Sequence, residues 1–224
     1  MPTIPLHIIQ RGNNRQSCFF HDDDYLLYLD WLQEYAKSTG CLVHAYALMT
    51  NHVHLLLTPK KSDSAAMLMK RLGQRYVQYI NRTYKRSGTL WEGRFRSSVV
   101  QQHHYFLTCQ RYVEMNPVRA GMVNQPGEYE WSSYSVNGEG KQSSLIHAHS
   151  CYQELGPTDE ERQAAYRELF RYELETDEIE AIRKATNGNF VLGNNRFSAE
   201  VSEMLGRRVV RGKPGRPRKR AVEE

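Results

Sequence analysis

The chain begins with a mildly strand-like stretch from Thr3 to Gln10, and Gly12-Asn13-Asn14 then reads as a loop. Asp22, Asp23 and Asp24 put capping groups and negative charge at the start of a helix that runs to about Lys37. Leu26, Leu27, Leu29, Trp31, Leu32 and Tyr35 lie inside it, and Gly40 ends it. Two apolar strands follow, Leu42 to Met49 and His52 to Thr58, joined tightly at Thr50-Asn51. Asp63 and Ser64 open a second helix carrying Met67, Leu68, Leu72, Tyr76, Val77 and Ile80. A loop at Arg86-Ser87-Gly88 leads to a β-like stretch from Arg94 to Val100. Phe106, Cys109 and Val113 then recur at helical spacing. The order β-α-β-β-α-β-α predicts an α+β chain: a ferredoxin-like core with an antiparallel sheet and one added helix.

Two polar intrusions break this pattern. His52 and His54 sit in the greasy run Ala45–Leu57. Residues two apart on a strand share a face, so both imidazoles project from one side, close enough to share a divalent ion. Val53, Leu55 and Leu57 then face the other side, toward a core. On the later helix Tyr112 and Asn116 are four apart and share a face. Pro117 stops that helix near Asn116, and Gly121 closes the turn beyond. Tyr105 lies two turns earlier and lacks an amide four residues on. His103 and His104 fall at the helix start, where they cap or solvate it. His147-Ala148-His149 repeats the His-x-His spacing beside a polar stretch, without a greasy strand, and is assigned no metal.

Several blocks in this order resemble a known family. They are Gln10–Gln16, Met49–His54, Leu90–Phe95, Arg111–Gly121 and Trp131–Tyr134. The chain resembles the single-tyrosine HUH transposases, and within them is most similar to the REP-associated tyrosine transposases of bacteria. The resemblance covers roughly the first 135 residues. It implies that Tyr112 is a nucleophile, that His52, His54 and Asn116 bind a metal, and that the substrate is hairpin or single-stranded DNA with REP-like palindromes. It also implies a monomer rather than a dimer.

Composition adds where such DNA would lie. The net charge is +5, but the charges are segregated. Lys70 to Arg96 is basic and interleaved with Tyr76, Tyr79, Tyr84, Trp91 and Phe95, the combination of cations and aromatic platforms that binds single strands. Glu154 to Glu180 is strongly acidic, and Arg207 to Arg220 is basic throughout. The DNA-contact candidates are Arg11, Asn13, Asn14 and Arg15 in the first loop; Arg71, Arg75, Arg82, Lys85, Arg94 and Arg96 in the basic block; and Arg216 and Arg218 in an AT-hook-like tail.

Beyond Tyr134 the texture changes. The expected division is a catalytic domain over 1–135, a Gly/Ser/Asn-rich linker over 136–156, a small helical module over 157–206 and a basic tail over 207–224. No run of about eighteen apolar residues predicts a membrane span, and no charged-then-apolar leader opens the chain. Four scattered cysteines without a Cys-x-x-Cys fit reduced thiols. The expected location is the bacterial cytoplasm, at the nucleoid.

Two imidazoles and an amide oxygen form a sparse, weakly charged ligand set that suits Mg²⁺ or Mn²⁺. The expected reaction, on the family resemblance, is metal-dependent cutting and rejoining of single-stranded DNA through a 5′-phosphotyrosine, with no nucleotide cofactor. A phenol with a free pKa near ~10 needs help to ionise, and no general base is legible. The alternatives are a DNA-binding regulator that no longer cleaves, and an RNA-processing nuclease on a related core.

Overall fold

The computed structural model describes residues 2–210 and 212. Its elements begin β1 (Leu6–Arg11), α1 (Asp22–Thr39), β2 (Cys41–Met49), β3 (His52–Pro59), α2 (Ser64–Thr83), β4 (Arg96–Val100) and α3 (Gln102–Glu114). This is the expected order. β1 and β4 both start later than expected: β1 starts only after Pro5, and residues 92–95 form a loop tied by Glu92 N–H to the Arg11 carbonyl at 2.9 Å.

β1 pairs with β3 and β4, and β3 with β2, all antiparallel. The sheet order β2-β3-β1-β4 places β1 and β3 at the centre, as the ferredoxin-like plan requires. α1 and α2 cover one face, packing on Ile8, Val53, Leu55 and Leu57. Asp24 binds them together. Its buried carboxylate caps the start of α1 through the amides of Phe20 and His21, and accepts the hydroxyls of Tyr79 and Tyr84, both at 2.9 Å. A register shift at His44 lets Val43 and Tyr46 share this face.

The opposite face is not open. α3 packs across it through Phe106, Cys109 and Val113, together with a later helix. Past α3 come α4 (Asn116–Arg119), α5 (Tyr134–Asn137), α6 (Ser150–Gln153), α7 (Asp159–Glu168), α8 (Thr176–Gly188), β5 (Val191–Leu192) and α9 (Asn195–Leu205). The expected division beyond 135 is corrected here. The stretch 136–156 does not span free space: Leu145 is buried in the core, and Ile146 bridges Val43 on the outer edge of β2. Nor is 157–206 a separate module. β5 adds to the sheet in parallel with β4, and α8 places Ile182 and Ala185 in the core on the α3 side. Both otherwise open sheet edges are thereby covered.

Glu114 anchors this C-terminal wrap. It is wholly buried at the end of α3 and accepts hydrogen bonds from Ser133 (2.5 Å), Asn137 (2.7 Å) and Tyr166 (2.7 Å). Burial pushes its carboxyl up to about 7 despite these three donors.

Candidate active site

β3 carries His52 and His54 side by side, ring centroids 5.0 Å apart. They face α3 and α8, while Val53 and Leu55 face α1 and α2, as strand alternation requires. Tyr112, in the last turn of α3, lies over them. Its ring meets His54 edge-on at 5.9 Å and is only 5% exposed. His52, His54, Tyr112 and Asn116 line one cleft of about 300 Å³, which Arg11, Arg119, Arg183 and Asn187 also border.

Each histidine has its Nδ1 engaged. His52 Nδ1 lies 2.6 Å from the Asn51 amide oxygen, whose nitrogen donates to the Arg15 carbonyl at 3.1 Å. His54 Nδ1 lies 2.9 Å from His7 Nε2, and His7 Nδ1 lies 2.8 Å from the Thr186 hydroxyl. The Thr186 hydroxyl also lies 3.0 Å from the Ile182 carbonyl and 3.1 Å from Ser98 Oγ. The tautomers of His7 and His54 set the direction of each bond along this chain. The nitrogen left for a ligand is Nε2 on both His52 and His54, the arrangement in which second partners fix the tautomer of a metal-binding imidazole.

Burial keeps these rings neutral. His52 is lowered to about 4 by burial and then by Arg11. His54 is pushed well below its ordinary value by burial, with His7, His52 and Arg119 adding to it. Neutral imidazoles with a fixed, available nitrogen fit a divalent ion. Asn116 fits with a constraint. Its nitrogen donates to the carbonyls of Tyr112 (2.9 Å) and Val113 (3.2 Å), capping α3, and its oxygen accepts from Arg119 at 2.8 Å, leaving one lone pair.

Arg119 is the most telling residue that sequence reasoning passed over. Pro117 does not terminate the helix outright; it occupies the first turn of α4, which returns Arg119 over Tyr112. The guanidinium sits 3.9 Å from the ring centroid and also donates to the Tyr112 carbonyl at 3.0 Å. Its Nε and Nη1 are buried without a partner. Burial lowers its pKa to about 10, while Tyr112 acts in the opposite direction.

The DNA-contact candidates separate on the structure. Arg11 lines the cleft, and with Arg94 and Arg96 borders a pocket beside it. Asn13, Asn14 and Arg15 form a turn against Asn51, with Asn14 and Arg15 at φ 51° and 58°. Gly12 allows this turn, since a Cβ there would meet the Gln16 carbonyl at 2.2 Å. Arg75 is held by Glu34 (2.8 Å) and Tyr35 (3.0 Å) and stacks on Trp31, against α1. Arg71 and Arg82 share its side of α2 by helical spacing, away from the cleft; Lys85 is exposed in the loop after α2. Arg216 and Arg218 lie outside the described residues.

Two further histidines lie outside the cleft. His149 caps α6 through the Cys151 amide and stacks on Phe106 at 3.9 Å. His103, Cys151 and Glu154 bring ligand atoms within 4.8 Å of one another at the far end of α3 from Tyr112. Burial, and then Glu154, raises the Cys151 thiol above its ordinary value, which disfavours a thiolate there.

His7 and Thr186 were invisible as site residues. The alternation Leu6-His7-Ile8-Ile9 puts His7 on the face of Ile9, but only the β1–β3 register, pairing Ile9 with His54, brings it to the site.

A ferredoxin-like sheet with a His-x-His strand facing a helical tyrosine is the arrangement of a class, the single-tyrosine HUH transposases. The family model described as "Transposase IS200 like" matches residues 1–116, and the chain belongs to that family. Among solved structures it is similar in fold to a REP-associated tyrosine transposase bound to a REP hairpin: TM-score 0.55 and 14% identity, covering 66% of this chain and 88% of that one. A candidate transposase from Deinococcus radiodurans R1 is 23% identical over 51% of this chain and 91% of its own, with a TM-score of 0.38. No curated protein matches the chain. Among the described residues no helix is long and apolar enough to cross a membrane.

Proposed function

We propose that this transposase nicks and rejoins single-stranded DNA beside a hairpin, through a 5′-phosphotyrosine on Tyr112. The observation that carries this is the meeting of Tyr112 with His52 and His54 in one cleft, its ring edge-on to His54 at 5.9 Å. The hairpin substrate is supported by the fold shared with the hairpin-bound REP-associated enzyme.

His52 and His54 would hold a divalent ion through Nε2, with the Asn116 oxygen beside them. Mg²⁺ or Mn²⁺ bound there supplies Lewis acidity and orients a scissile phosphate. The Tyr112 oxygen attacks phosphorus, and the bond from phosphorus to the 3′ oxygen of the preceding nucleotide breaks. The phenol loses its proton as the departing oxygen gains one, leaving a free 3′-OH. Arg119, fixed on the Tyr112 ring, faces that developing negative charge with a guanidinium that has donors to spare. A phosphotyrosine retains the energy of the phosphodiester, so attack by a 3′-OH rejoins strands without a nucleotide cofactor.

The deciding experiment incubates the protein with palindrome-bearing single-stranded oligonucleotides and Mg²⁺ or Mn²⁺, followed by denaturing electrophoresis. The expected result is a denaturant-stable protein–DNA adduct. Metal-independent hairpin binding without an adduct would make the chain a DNA-binding regulator instead.

A further inference from the structure

A groove on the other face of the molecule has the features of a binding site. It lies between α2 and the loop 89–95, with a volume of about 780 Å³ and a mostly apolar wall that includes Met69, Val77 and Phe95. Lys70 and Arg94 stand on its rim. Gln10 and Trp91 line it too, only 8% and 5% exposed. Gln10 Oε1 and Trp91 Nε1 are both buried without a hydrogen-bond partner. An unmet acceptor and an unmet donor in one wall are costly to a fold, and such groups call for an explanation.

Gly73 of α2 lies beside both side chains. A Cβ at this position of α2 would lie 3.8 Å from Trp91 Nε1 and 3.9 Å from the Gln10 amide nitrogen. The missing side chain leaves room over both groups, in the middle of a helix where glycine is otherwise unfavourable.

The groove is also continuous with the cleft. Ile9 and Arg11 border both the tyrosine cleft and the pocket formed with Arg94 and Arg96. Gly93 and Arg94 border both that pocket and the groove. A path lined by arginines therefore leads from Tyr112 round the end of β1 to the opposite face of the sheet.

We infer that the groove between α2 and the loop 89–95 holds one unpaired nucleobase of the strand that passes through the cleft. The arginines take the intervening phosphates, Phe95 offers a face for stacking, and Gln10 and Trp91 present an acceptor and a donor to the base edge. This rests on the single-strand reading of the site and names where that strand is read. An apolar slot with two polar groups and a cationic rim matches a flat, amphipathic, anionically tethered ligand.

The test uses a hairpin oligonucleotide with a randomised single-stranded flank, bound to the full-length protein without divalent metal. Bound molecules are sequenced. Wild type is expected to enrich one base at one flank position, and an abasic substitution there to weaken binding about tenfold or more, the scale of one base–aromatic stack. Gly73→Ala should lose that enrichment and become indifferent to the abasic substitution, although alanine favours the helix and should raise the melting temperature. Gln10→Leu provides a second variant and should lose base choice while retaining stacking. No enriched position in wild type, or the same enrichment in Gly73→Ala, would overturn the proposal. The covalent adduct is read separately, on wild type with metal. Enrichment without an adduct would remove the nicking reading alone, and an adduct with unaltered enrichment in Gly73→Ala would remove the groove alone.

Discussion

His7 and His54 stack at 5.1 Å with 9° between their rings, and Nε2 of His7 lies 2.9 Å from Nδ1 of His54. The pair couples β1 to β3, and through Thr186 it ties the candidate metal ligand to α8, well beyond the stretch that the family model matches. The C-terminal wrap thus contributes to holding the site.

Thr186→Val keeps the shape of the side chain and removes the hydroxyl that bonds to His7. Affinity for Mn²⁺, measured by titration without DNA, should fall about tenfold, and Thr186→Ser should restore it. Equal Mn²⁺ affinity in the valine variant would reduce the His54–His7–Thr186 chain to packing.

Tyr112→Phe removes one oxygen and leaves the ring under Arg119. Adduct formation should vanish while hairpin affinity, measured by anisotropy, stays within about twofold, well under the ~1.4 kcal/mol that a tenfold change represents. Retained nicking would rule out Tyr112 as the nucleophile.

Arg119→Lys keeps the charge but loses the planar group that stacks on Tyr112 while donating to Asn116 and the Tyr112 carbonyl. Single-turnover adduct formation should slow by about tenfold or more, as for a lost charge-stabilising donor. A wild-type rate would show that the stack serves only packing.

Glu114 predicts a pH dependence of stability. Its carboxyl is raised from 4.5 to about 7 by burial, so the folded state holds a proton that the unfolded state releases between those values. Its contribution is complete below pH 4.5 and is lost as pH rises through 7. Denaturation curves of wild type should therefore lose stability over that window relative to Glu114→Gln, and parallel curves would contradict this. Glu114→Ala should cost about 3 kcal/mol, since Tyr166, Asn137 and Ser133 lose their shared acceptor.

The basic tail is best tested by truncation after Gly212. Cutting at 207 would remove Val209, which is buried and hydrogen-bonded through its carbonyl to Val191. Without residues 213–224, and so without Arg216 and Arg218, the slope of log affinity against log salt should flatten by roughly 3.5, about 0.7 for each of the five lost cations. An unchanged slope would mean that the tail does not touch DNA.

Much of the core was legible because it is written in local periodicities. The β-α-β-β-α-β-α order, the shared face of His52 and His54, and the shared face of Tyr112 and Asn116 follow from repeats of 2.0 and 3.6 residues. Those repeats do not report what covers a face. They put His54 on the face opposite Val53 and Leu55, and only the packing of α3 and α8 seals that face too. The polar texture of 136–156 suggested a linker, yet Asn137 donates its side-chain amide to the His44 carbonyl and His147 its backbone N–H to the Val43 carbonyl, both on β2.

By itself, then, the sequence determined which residues share an element and a face: the histidine pair, the tyrosine with its asparagine, and the basic run of α2. Tertiary structure decided which faces meet. Strand register brought His7 to His54, the helical turn after Pro117 folded Arg119 onto Tyr112, and the C-terminal wrap supplied Thr186. These are contacts between residues far apart in the chain or across a turn. They depend on the summed packing of layers, which no local pattern of polar and apolar residues encodes.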